Sequence, residues 1–218
     1  MEAFNIKDCA LIGIASGVRA QNLRELRDLL RNIDTNSIYY HFWGGLLRPR
    51  FDNPEYHNDF AIWVARSLHN KTLAERLACI DPVTFKSLED IRMELIESIE
   101  QSLDETEFPT WAKRDDQFEF MRFQIIVFNT HLQVNKPREF TQLLPQMSAG
   151  SIFYHFIDGR RRNDNSLDDF QNWLINFIPE HQDLIRAIKC VDPYFSPLTR
   201  LRNELSLIFS DYFKDNAS

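Results

Sequence analysis

Two short segments bring together the residue types that could do chemistry. Ser37-Ile38-Tyr39-Tyr40-His41-Phe42 is followed by Arg48 and Arg50, and Ser151-Ile152-Phe153-Tyr154-His155-Phe156 by Arg160, Arg161 and Arg162. A converging imidazole, phenol and guanidinium would hold a phosphate or carboxylate, because a guanidinium matches those oxygens in pairs. Gly44, Gly45 and Gly159 give the backbone the freedom to turn sharply enough for that. The candidate ligand-binding set is therefore Tyr40, His41, Arg48, Arg50, Tyr154, His155, Arg160 and Arg162. The competing reading is a solvated basic loop, with the histidine and tyrosine as core residues whose polar tips bond to backbone.

Other combinations carry less. Glu55, His57 and Asp59 could join His41 around a metal, but the later position matching His57 is Leu167, and paired cysteines and an HExxH helix are both missing. No metal and no cofactor is expected. Ser37, His41 and Asp59 could form a nucleophile, base and orienting acid, without the GxSxG turn that often accompanies them. Asp81-Pro82 and Asp192-Pro193 read as braces of backbone turns, with Arg92 and Arg202 as possible partners of those carboxylates. Trp63 and Trp173 have apolar neighbours and read as core, and Cys79 and Cys190 as small buried hydrophobes.

The elements that must position these residues recur along the chain. A shift of 114 positions aligns the two SI(Y/F)YHF segments and also Ile12 with Ile126, Arg24-Glu25 with Arg138-Glu139, and Leu29-Leu30 with Leu143-Leu144. Further on, Asp59-Phe60 and Trp63 meet Asp169-Phe170 and Trp173, and Cys79-Ile80-Asp81-Pro82 meets Cys190-Val191-Asp192-Pro193. The pattern predicts a duplication: a first helical unit over 1–103, a connector over 104–117 and a second helical unit over 118–218. Leu23, Leu26, Leu29, Leu30 and Ile33 recur at helical spacing, as do Leu88, Ile91, Leu95 and Ile99 near the end of the first unit. Asn58 or Asp59, and Asp168 in the second unit, are placed to cap the helices carrying the two tryptophans. Phe118 to Phe128 has the aromatic and β-branched density of a strand, but its counterpart FNIKDCALIGI looks more helical. The expected fold is all-α.

With 32 acidic against 25 basic residues and 44% hydrophobic content, the chain is a globular protein of net charge −7. That balance argues against a nucleic-acid partner, because phosphate neutralisation by Lys and Arg supplies most of such affinity. Three widely spaced cysteines and the lack of any long apolar run point to a cytoplasmic protein away from membranes.

SIYYHF, NDFAIWV, LAERLACIDP and IRMELIE together resemble a bacterial family of unknown function, number 5752. The resemblance covers the first repeat almost end to end and the second less closely, and it implies no activity. The second repeat departs at Asn58, which becomes Asp168, and where HQDLIRAIK replaces NKTLAERLA. The expected function is a non-catalytic module that binds a protein or a small anionic ligand. The alternative is an enzyme acting on an anionic substrate, with His41 as acid or base and Arg48 or Arg50 as the clamp.

Overall fold

In the computed structural model, which describes residues 2–47, 55–105 and 110–215, the expectation of an all-α fold fails. Phe4–Ala20 (β1) and Phe118–Val134 (β2) are strands of 17 residues each, paired as a two-stranded antiparallel sheet, and the fold is mixed α/β. The strand ends show why. Phe4 and Ile6 are buried on either side of exposed Asn5, and Phe118 and Phe120 on either side of half-buried Glu119, the two-residue alternation of a sheet. Between those ends the strands leave Ile12, Ile126, Val127 and Phe128 exposed, so no helical stripe is buried there.

Both strands carry the same left-handed kink. Gly17 has φ +76° and His131, 114 residues later, has φ +61°. On the preceding residue the Ser16 hydroxyl donates to the Phe120 carbonyl at 2.6 Å, and the Thr130 hydroxyl donates to the Ile6 carbonyl at 2.5 Å.

The chain forms two compact units. The central unit takes Leu11–Gln124, and the terminal unit combines Met1–Ala10 with Ile125–Ser218. Among the described residues of the central unit, five α-helices follow β1: α1 (Leu23–Leu30), α2 (Thr35–Trp43), α3 (Asp59–Ser67), α4 (Lys71–Ala78) and α5 (Leu88–Asp104). Asn22, Asp34, Asn58, Asn70 and Ser87 cap them, each accepting a backbone N–H of the first turn. α2 buries every residue from Ser37 to Trp43, which is why it shows no amphipathic pattern. The core gathers Phe42, Phe60, Phe118 and Phe120, with Phe60 and Phe118 stacked at 5.0 Å.

After β2 the terminal unit has α6 (Phe140–Leu143), α7 (Ala149–Ile152), α8 (Gly159–Arg162), α9 (Asp169–Leu174), α10 (Gln182–Lys189) and α11 (Leu198–Asp215). Its core joins Phe4, Phe140, Phe156, Phe170 and Phe209. A π-helical stretch, Phe153–Asp158, links α7 to α8. Gly150 in α7 packs so close to β1 that a Cβ there would collide with the Asp8 carboxylate and the Cys9 carbonyl. Cys79 and Cys190 are exposed at the C-terminal ends of α4 and α10, which corrects their reading as buried hydrophobes. Among the described residues, no helix is long and apolar enough to cross a membrane.

Gly17→Ala isolates the cost of the kink, because nothing lies within 4 Å of a Cβ built there. The expected loss is ~1–2 kcal/mol, the penalty of a left-handed backbone for an L-residue, read by urea denaturation. An unchanged midpoint would show that the strand does not need this conformation.

Candidate functional site

The site in the central unit is built on one turn of α2. Ser37 and His41 stand four residues apart and so share a helix face. Both reach the backbone of the same β2 residue, Met121. The Ser37 hydroxyl donates to the Met121 carbonyl at 2.6 Å, and the Met121 N–H donates to His41 Nε2 at 3.0 Å. A backbone N–H can only donate, so Nε2 carries a lone pair and the ring proton sits on Nδ1. Nδ1 then donates to Asp59 Oδ2 at 2.9 Å. Asp59 opens α3, directly after its cap Asn58, and His41 is 3% exposed.

The terminal unit repeats this arrangement with residues 114 and 110 positions on. The Lys7 N–H donates to His155 Nε2 at 2.9 Å, and His155 Nδ1 donates to Asp169 Oδ2 at 2.7 Å. Lys7 is itself 114 residues before Met121, so each histidine is held by the strand that the sequence alignment pairs with the other histidine's repeat. Burial acts to raise the Asp169 pKa, but hydrogen bonds from His155 and Arg162 outweigh it and hold the carboxyl below its ordinary value. Nearby, burial and the charges of Asp8 and Asp158 push the Cys9 thiol up to about 12, and it donates to the Gly150 carbonyl at 3.3 Å.

The arginines of α8 are engaged by carboxylates. Arg161 and Arg162 both bond Asp158, each at 2.9 Å, and Arg162 also reaches Asp169 at 2.8 Å and stacks over the Tyr154 ring at 4.0 Å. Arg160 approaches Asp168 at 3.6 Å, too far for a hydrogen bond. Arg48 and Arg50 lie outside the described residues. Tyr40 is buried beside His41, with ring centroids 5.1 Å apart. Beside them a cleft of about 330 Å³ is lined by Asp59, Trp63, Arg66, Asp116 and Glu119 among others, three acids against one base.

The remaining residues singled out in the sequence serve turns and helix ends. Asp81 accepts the Val83 N–H and Asp192 the Tyr194 N–H, which braces both turns. Arg92 pairs with neither aspartate. It donates to the carbonyls of Leu30, the last residue of α1, and of Ile33 beyond it, and to Glu89, while Arg202 donates to the Met147 carbonyl at 3.0 Å. Trp63 and Trp173 are buried, and their indoles donate to the Asp116 and Glu2 carbonyls. Among the described residues, no group of three or more His, Cys, Asp or Glu is placed to hold a metal.

Asp168 is the buried group that sequence reasoning saw only as a cap. Its Oδ1 accepts the Gln171 N–H at 2.9 Å, but its Oδ2 is buried without a hydrogen-bond partner among the described residues. In the central unit Asn58 caps in the same way and spends its Nδ2 on the Leu77 carbonyl. Burial, only partly offset by the Gln171 N–H and Arg160, pushes the Asp168 carboxyl up to about 7.

Helices that close on a two-stranded sheet through buried histidine–carboxylate pairs define a mixed α/β protein whose polar centre holds strand to helix. The chain belongs to the family of unknown function DUF5752, whose profile matches residues 1–210. It is also similar to the solved structure of OrfY from Thermoproteus tenax, at 26% identity and a TM-score of 0.83, covering 96% of this chain and 95% of that one. No curated protein matches it in sequence.

The raised Asp168 pKa sets a direction for stability. A carboxyl whose folded pKa lies above its unfolded value takes up a proton on folding, so its contribution is full below about 4 and is lost as pH rises towards 7. Asp168→Asn, which installs the residue found at Asn58, is expected to remove that loss. Above pH 7 the variant gains about 1.4 kcal/mol for each pKa unit of the shift, and near pH 4 it gains little. Thermal melts across that range check it, and equal melting temperatures at pH 8 would contradict it.

Proposed function

We propose that this chain is a non-catalytic binding module that takes a small ligand or the surface of a partner protein at the cleft beside His41. The observation that supports this most is the commitment of both imidazoles. Each ring has Nδ1 on a carboxylate and Nε2 on a backbone N–H, and each is 3% exposed. A general acid or base must hand a proton to a substrate within hydrogen-bond reach, which neither ring can do without breaking the strand contact. The enzyme alternative therefore loses its proton carrier. The cleft itself offers an aromatic wall, Trp63 and Phe118, and one exposed cation, Arg66, among carboxylates.

We also read the chain as a cytoplasmic bacterial protein, and as one that arose by duplication of one unit; the 114-residue correspondence of kinks, histidine clamps and capped helices supports the duplication.

Nuclear magnetic resonance screening of small polar and anionic compounds tests the binding role through the Trp63 indole N–H. Compounds are expected to shift that signal in the wild type and to lose the effect in Arg66→Ala, with no turnover at any pH. Turnover of any compound by the wild type that His41→Gln abolishes while the fold persists would overturn the proposal.

A further inference from the structure

The terminal unit holds a second cavity, of about 580 Å³, away from the histidine–carboxylate pairs and within the size range of small-molecule sites. Its floor is aromatic, with Phe177, His181, Tyr212 and Phe213. The ring centroids of His181 lie 5.5 to 6.0 Å from those of the other three. Lys136 and Arg138 line the same cavity and are exposed, and neither side chain has an ion-pair partner among the described residues. Glu180 is the single acid in the lining.

His181 has given up an ordinary role to be there. At the matching N-cap in the central unit, Asn70 accepts the Leu73 N–H at 3.0 Å and donates to Ser102 Oγ at 3.1 Å. His181 occupies the N-cap of α10 and makes no side-chain cap bond. Its ring is fixed by Tyr212 instead. The Tyr212 hydroxyl donates to the Glu180 carbonyl at 2.8 Å, so its oxygen accepts from His181 Nδ1 at 3.1 Å. Nε2 of the same ring has no hydrogen-bond partner among the described residues, on a side chain 7% exposed. A residue that forgoes a helix cap and lines a cavity with one ring nitrogen left unbonded departs from local structural preference where a ligand would explain the departure.

We propose that this cavity binds a planar aromatic anion, with its ring against Phe177 and Phe213, its acid group on Lys136 and Arg138, and a donor group on His181 Nε2. The cations supply charge-assisted bonds to phosphate or carboxylate oxygens, and the rings supply stacking area. Nucleoside monophosphates and hydroxylated aromatic carboxylates share this chemistry. The site lies in a different unit from the His41 cleft, so it stands or falls independently of the function proposed there.

Isothermal titration of the full chain with AMP and with 4-hydroxybenzoate tests the site in the wild type, in the double variant Lys136→Ala with Arg138→Ala, and in His181→Phe. Both cations are exposed, so the double variant is expected to fold, which circular dichroism checks. Saturable binding of either probe, weakened about tenfold or more in the double variant and also weaker in His181→Phe, supports the site, and the probe that binds identifies the ligand class. Absence of saturable binding by both probes, or affinities unchanged in the double variant, would overturn it.

Discussion

A two-stranded sheet has two edges, and every peptide group that faces outward from one must find a partner or stay wet. This protein satisfies such a group in each unit with an imidazole. His41 accepts the Met121 N–H and His155 the Lys7 N–H, while a carboxylate takes the proton on the other ring nitrogen. Everything around the rings follows from that demand. The helix carrying His41 must be buried on all sides, the next helix must start with an aspartate at hydrogen-bond distance, and the ring must stay neutral to remain an acceptor. Ser37 completes the grip by binding the carbonyl of the same residue, so the strand is held by both polar atoms of one amino acid.

The two units solve the same backbone problem and then diverge in their buried polar groups. Where the central unit has neutral Asn58 and Asn70, the terminal unit has Asp168 and His181. Where it has Gly44, the terminal unit has the buried Asp158 under two arginines. Titratable side chains in places that a neutral residue fills elsewhere cost stability, because each buried charge or unmatched acceptor must be compensated. Among the described residues, the terminal unit thus carries most of the buried polar atoms that lack a hydrogen bond, including Asp168 Oδ2 and Arg160 Nε.

Much of this was legible from residue spacing. The apolar stripes of α1 and α5, the caps at Asn58 and Asp168, and the grouping of Ser37, His41 and Asp59 are all local or repeated patterns, and periodicity reads those well. The strands were only half legible: Phe118 to Phe128 has strand-like density, but Ile125 to Phe128 are apolar in a continuous run and Ile126 to Asn129 are all exposed, which breaks the two-residue alternation in the middle of β2. The purpose of the serine, histidine and aspartate group was also hidden. Its target is a backbone peptide 80 residues away, and a peptide group leaves no mark in a sequence. The same blindness applies to Arg92, whose partners are carbonyls rather than the aspartates that spacing suggested.

The imidazole protonation state is where this account is most exposed to measurement. Long-range proton–nitrogen correlation spectra of ¹⁵N-histidine-labelled protein at neutral pH report which ring nitrogen carries hydrogen. The account requires His41 and His155 to be neutral with the proton on Nδ1 and a bare Nε2. A proton found on Nε2 of either ring would contradict it, since that nitrogen could then no longer receive the strand N–H.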